Sequence, residues 1–450
     1  MQYSAEFINY LEAAITQHQF EQIIHDFMVF NLGDQANLLQ QLSLNSQIAL
    51  IEHLPQAARV FEFLSLAAQL QIAKLVPKSV LVSLIEAMHS DDSTDLIKLL
   101  DPTLQHYVFE HLTLQKQTQV RTLAAYAEES AGAIMSSDFV TVSPDWSMQQ
   151  VLEHLRNTVT ERETIYSIYI TDSLHKLVGI ISLREIILAE PDTQVAALMT
   201  TDLVLGHADE DQESIVTKLS YYDLMALPII DQQGHLLGIV TYDDAMDIAQ
   251  QEATEDFLKS GAIESSPNLS IKTAPILSLY RKRVFWLIIL VFGSLLSGIG
   301  IAHFEDIIAA NIVLVFFLPL LVGSGGNAGS QSATLMVRAL ATGDVYFKDW
   351  FYLIGRESLV ACCLGASMAF AVAILGYIRG DSMIALVLAL SMMGIVLLGC
   401  LIGMSLPFIL NRFKMDPASA SAPLVTSICD ATGVMVYLFI ASQLLTNVAA

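Results

Sequence analysis

Apolar residues recur at helical spacing over residues 5–125, and Pro55, Pro77 and Pro102 interrupt them, which predicts a stack of short amphipathic helices. After Gly132 the period shortens, and two segments echo one another. Ala133-Ile-Met-Ser-Ser-Asp-Phe-Val-Thr-Val142 returns as Ala197-Leu-Met-Thr-Thr-Asp-Leu-Val-Leu-Gly206, and the run Ile170–Ser182 returns as Ile229–Thr241. Such self-similarity marks two copies of one unit. Each copy should hold a helix (Ser147–Arg156; Gln212–Tyr222) and a strand–turn–strand, with the turn at Asp172-Ser-Leu-His or Asp231-Gln-Gln-Gly. From Asp243 to Lys259 no proline or glycine intervenes, and the composition favours one further helix.

The pattern then changes to apolar runs near 284–302, 307–337, 358–378, 382–410 and 421–446. A helix needs about 20 residues to cross the hydrocarbon core, so five spans are predicted. Pro319 and the glycine cluster 323–329 should kink or break the second run, and Pro407 should act near the end of the fourth. With the first span starting inside, the inner segments hold Arg281, Lys282, Arg283, Arg338, Lys348, Arg356, Arg412 and Lys414, and the outer loops hold only Arg379. The positive-inside rule therefore places the N-terminus in the cytoplasm and the C-terminus outside. The N-terminus has neither a basic flank nor a long apolar stretch, so no cleavable signal is expected.

Charge divides the chain at the same place. Residues 1–270 carry 38 acidic and 12 basic residues, whereas 271–450 carry 8 and 10. The soluble part thus repels nucleic acid and anionic lipid and attracts cations. Its acidic helix places Asp244, Asp247 and Glu255 toward one side and Glu252 four residues before Asp256. Like charges at that spacing repel mildly, so neutralisation by a cation stabilises such a helix. All four cysteines lie in apolar runs and read as small core residues.

Two membrane features carry candidate chemistry. Asp430 is the lone acid in the apolar stretch Pro423–Ala441, and a carboxylate at bilayer depth costs about 3 kcal/mol or more unless water, a partner or a cation meets it. In the second run, Leu318-Pro-Leu-Leu-Val-Gly-Ser-Gly-Gly-Asn-Ala-Gly-Ser-Gln sets the amides of Asn327 and Gln331 four residues apart. Lipid cannot satisfy them, so they should face protein or a wet path. No Walker-type phosphate loop, no metal spacing among the histidines and no nucleophile–base constellation is evident, so an enzyme is not expected.

The repeat resembles a tandem CBS pair, a module that often binds adenine nucleotides. In that module a Ser/Thr-x-x-Asp commonly grips ribose; Thr241 and Asp244 match, whereas the first copy has Ser182 and Glu185. The other reading of Thr241 is a helix N-cap. The glycine–asparagine run, Asp416-Pro-Ala-Ser-Ala-Ser-Ala-Pro, the Asp430-Ala-Thr-Gly span and Met88-His-Ser-Asp-Asp-Ser-Thr-Asp together resemble the MgtE family of magnesium channels. The resemblance implies a multidomain chain: an α-helical superhelical N domain (1–128), a tandem CBS (α+β) pair (129–241), an acidic connecting helix (242–270) and a five-span α-helical membrane domain (271–450).

The same resemblance implies a homodimer in the bacterial inner membrane, with the ion path between the subunits and Asp430 as its binding carboxylate. Gly433 and Asn327 could add backbone or outer-shell contacts there. Magnesium sensing is implied at Asp91 and Asp95 of the N domain, at Asp211, Glu213 and Asp223 of the second CBS unit, and at Asp244, Asp247, Glu252, Glu255 and Asp256 of the connecting helix. ATP enters as a regulatory ligand, with Thr241 and Asp244 as its contacts. Rival readings are transport of cobalt or manganese, and a membrane sensor that does not conduct.

Overall fold

The computed structural model describes residues 5–158, 163–264 and 274–446. It divides between Gln250 and Gln251 into two compact units.

The first unit opens with short helices from Ala5–Thr16 through Leu114–Leu123. Their starts are set by local chemistry: the side chains of Asn31, Ser43, Asp101 and Thr113 each accept a backbone N–H of the following turn. A continuous core that includes Leu11, Phe27, Leu39, Phe61, Leu81 and Val108 holds the array together.

The repeat follows as two three-stranded sheets: β1 (Thr141–Val142), β2 (Ser167–Thr171) and β3 (Leu177–Ser182), then β4 (Gly206–His207), β5 (Ala226–Ile230) and β6 (Leu236–Thr241). In each, the first pair is parallel and the second antiparallel. Ser167 pairs with Ser182 as Ala226 pairs with Thr241, and both hairpins shift register at matching positions. The turns also match. Asp172 Oδ1 accepts the N–H of Leu174 and Lys176, and Asp231 Oδ1 accepts those of Gln233 and His235. The left-handed position is Gly234 (φ 88°) in one copy and His175 (φ 61°) in the other. The two hairpins join tip to tip, with Leu177 N–H donating to the Gly234 carbonyl and Leu236 N–H to that of His175. The acidic helix runs Tyr242–Ser260.

Among the described residues, the second unit contains five helices long and apolar enough to cross a membrane: Ile276–His303, Val313–Ala341, Phe347–Arg379, Ser382–Arg412 and a fifth, Ala422–Thr446. The second span is not broken where the sequence suggested a break. It is an unbroken helix through Pro319 and every glycine of the cluster, and the interruption falls at Asn311–Ile312 instead. The fourth likewise runs through Pro407 to Arg412. Tertiary contact explains the continuity. A Cβ on Gly399 would stand 2.5 Å from the Gly325 carbonyl oxygen, and one on Gly403 would stand 1.9 Å from that of Gly329. The glycines let the second and fourth spans touch backbone to backbone, and in hydrocarbon a helix is the cheapest way to satisfy peptide groups. Of the first span's apolar window only 6 % is covered within the chain, against 50 % for the fourth.

Candidate functional sites: an intramembrane carboxylate and an acidic nest

Asp430 lies on the fifth span, and its Oδ1 is enclosed with no hydrogen-bond partner among the described residues. A Cβ on Gly326 would lie 3.3 Å from that oxygen and 2.8 Å from Thr426 Cγ2, so the bare backbone of the second span forms the wall beside it. Ser330 Oγ and Thr426 Oγ1 are 3.2 Å apart and join the same two helices. Asn327, on the second span, is exposed in the single chain. Gly433 is buried, and a Cβ there would lie 3.6 Å from Ile395 and 3.8 Å from Val322, ordinary van der Waals spacing. Glu357 is a second carboxylate in the spans: Ser332 on the second span donates to it from across the helix interface.

In the first unit, Asp91 and Asp244 come together with Glu62, Asp92 and Glu163, which sequence reasoning did not single out. Glu62 ends the helix Ala57–Glu62, and its Oε1 accepts the His89 N–H at 2.7 Å, at the start of Ser90–Leu99. Asp138 Oδ2 accepts the Ser90 N–H at 2.9 Å, and Ser137 N–H donates to Ser90 Oγ at 2.8 Å. Both acids thus meet the positive end of one helix. Glu163 donates its N–H to the Asp138 carbonyl oxygen, and its Oε2 lies 3.2 Å from Ser136 Oγ and 3.2 Å from His89 Nδ1.

Burial, reinforced by mutual repulsion, raises the affinity of these carboxyls for protons. Asp91 is pushed well above the usual range, with Asp244 the main repelling neighbour. Asp92 rises to about 7, Glu163 to about 8 and Asp244 to about 6. Burial and the charge of Arg59 push His89 down to about 4. Lys116 is the buried cation on the nest's margin, and its Nζ donates to the carbonyl oxygens of Met88 and His89. This assembly has more negative charge than its cations offset, and such a pocket favours a divalent cation.

The remaining sequence-predicted positions lie elsewhere. Asp95 is exposed and turns to Lys98 at 3.3 Å. Asp211 caps the helix Gln212–Tyr221 by accepting the Glu213 N–H, and Asp223 follows that helix at φ 52°; all three acids are exposed. Asp247 is exposed and Glu252 half-buried on the acidic helix. In the second unit, Lys259 binds Glu255 and reaches Asp416 Oδ2 at 2.6 Å, while burial and then the charge of Asp416 raise the pKa of Asp256. Asp416 was visible in the sequence only as part of a motif. Thr241 donates to Asp244 Oδ2, and Ser182 with Glu185 forms a capping box, so both copies use this pair at a helix start.

An acidic helical and CBS region followed by five apolar helices, one with a half-buried carboxylate, describes a multi-pass membrane protein with a cation-attracting soluble part. The profile of the MgtE divalent cation transporter family matches residues 318–440, that of the MgtE intracellular N domain matches 30–129, and CBS profiles match 131–192 and 195–250. The chain is 37 % identical over 357 residues to the magnesium transporter MgtE of Thermus thermophilus and 32 % identical over 360 residues to that of Bacillus subtilis, in both cases covering 79 % of each chain. A solved cytosolic domain of the Mg2+ channel MgtE in complex with ATP aligns with a TM-score of 0.51 and 30 % identity, covering 54 % of this chain and 99 % of that one. The soluble part of a magnesium transporter aligns at 0.53 and 27 % identity, covering 55 % and 98 %. The chain belongs to the MgtE family of magnesium transporters.

Proposed function

We propose that this protein is a magnesium-selective channel of the bacterial inner membrane, driven by the membrane potential and closed by cytosolic magnesium. The observation that carries the reading is Asp430 Oδ1, enclosed in a span without a partner among the described residues. Magnesium prefers octahedral oxygen ligands and sheds water reluctantly. One carboxylate from each of two chains would hold the hydrated ion without trapping it. A homodimer supplies that pair, and the largely uncovered first span supports an arrangement in which other copies or lipid cover it. Asn327 would provide an outer-shell contact and Gly433 a backbone one.

Magnesium entry needs no ATP. One charge crossing 100 mV gains about 2.3 kcal/mol, so a divalent ion gains about 4.6 kcal/mol. That offsets a concentration ratio on the order of a thousand. Uptake runs inward with the N-terminus in the cytoplasm, the orientation that the basic inner loops support.

Closure uses the soluble charge surplus. Magnesium at Asp91 and Asp244 neutralises the nest, while Asp211, Glu213, Asp223, Asp247, Glu252, Glu255 and Asp256 recruit further ions as the acidic helix settles. Recording from inside-out patches tests this: open probability should fall as magnesium on the cytosolic face rises through the millimolar range, and an unchanged open probability contradicts it. ATP is a regulatory ligand on this reading. The support is the ATP complex of the similar cytosolic domain. In this chain the ribose would have to replace the Thr241–Asp244 bond.

A further inference from the structure

Within the acidic nest, one group of ligands is not all oxygen. Glu62, His89 and Asp92 each place a donor atom within 4.8 Å of the others, and all three are half-buried. Beside them Asp91 Oδ1 is enclosed and, among the described residues, accepts no hydrogen bond. The imidazole is held in place. Arg59 Nη1 donates to His89 Nε2, so that nitrogen keeps its lone pair and the ring proton sits on Nδ1, 3.2 Å from Glu163 Oε2 and 3.6 Å from Glu62 Oε1. Nδ1 therefore already points among carboxylates.

We propose that Glu62, His89 and Asp92 form a mixed nitrogen–oxygen site for a first-row transition-metal dication, through which the soluble unit binds manganese-class ions as well as magnesium. The chemistry distinguishes the two. Magnesium selects oxygen donors and keeps its waters, whereas an imidazole nitrogen favours transition metals, and two carboxylates with one histidine suit their open coordination. Metal on Nδ1 moves the ring proton to Nε2, where Arg59 can no longer donate, so Arg59 must turn away. Its side chain is 35 % exposed and has room to do so. Arg59 is thus a competitor for the site. This inference deepens the cation-sensing reading and shares its nest, but it can fail separately.

The probe is Mn2+ bound to the full-length protein in nanodiscs, followed by pulsed electron paramagnetic resonance. Oxygen-only sites also take Mn2+, but only a histidine ligand adds 14N modulation to the echo. The wild type should show that modulation and His89→Asn should lose it; a wild type without it, or a variant that keeps it, overturns the proposal. Arg59→Gln removes the competing donor and keeps all three ligands, which guards against a misfolded His89 variant. It should raise Mn2+ affinity at the nitrogen-coupled site about tenfold, since a charge-assisted hydrogen bond is lost from the empty state; unchanged affinity also overturns the proposal. Magnesium-dependent closure is read separately in flux assays. Its absence in the wild type contradicts the proposed function, and the nitrogen signal still decides this site.

Discussion

Gly326 and Asp430 are matched across two spans: the place a Cβ would take on the glycine lies 3.3 Å from the carboxylate Oδ1. The other close atom is Thr426 Cγ2, at 2.8 Å, on a rotatable side chain. Gly326→Ala should therefore fold, with the strain taken up beside Asp430. We expect clearly reduced magnesium flux, with thermal stability within a few degrees of wild type. Wild-type flux would mean that this wall does not border the path.

Gly403→Ala should behave differently. Its Cβ would meet the Gly329 carbonyl oxygen at 1.9 Å, and backbone cannot rotate aside. Overpacking of a tight contact costs about 1–3 kcal/mol, here at the upper end. Thermal unfolding in detergent should shift down by several degrees, and Gly399→Ala should do the same for its contact with Gly325.

Stability without divalent ions should fall as pH rises. Asp244, Asp92 and Glu163 hold protons up to about 6, 7 and 8, above their unfolded values. A raised carboxyl pKa contributes stability that is fully present below the unfolded value, near 4, and is lost as pH rises through the folded value. The midpoint temperature in EDTA should thus decline between about pH 5 and pH 8, and magnesium should restore most of the loss at pH 8. His89, depressed to about 4, works oppositely, losing stability as pH falls from 6.5 toward 4. A midpoint that rises from pH 6 to pH 8 in EDTA would contradict the carboxylate account.

Lys259 already neutralises part of the cluster of Glu255, Asp256 and Asp416. Lys259→Ala leaves those acids to a cation, so channel closure should need less magnesium than in the wild type. A dose–response curve on patches reads this directly, and a shift toward higher magnesium would show that the lysine supports the closed state instead.

Much of this was legible in the sequence because the governing signals are local. The five spans follow from run length, and the twin hairpins follow from the echo between Ile170–Ser182 and Ile229–Thr241. Asp430 stood out because nothing near it in sequence is charged. The nest was only half visible: Asp91 and Asp244 are in acidic motifs, but Glu62 and Glu163 are ordinary surface-type residues until the fold carries them to His89. Pro319 misled because helix propensity is local, whereas the contacts of Gly325 and Gly329 with Gly399 and Gly403 join positions about seventy residues apart.

The central claim is that Asp430 holds the ion in transit. It is tested most directly by magnesium uptake into proteoliposomes under an imposed inside-negative potential, comparing wild type with Asp430→Ala. The wild type should take up magnesium in proportion to the potential and the variant should take up none, with oligomeric state and melting temperature retained. Equal uptake by a folded Asp430→Ala protein would contradict that claim.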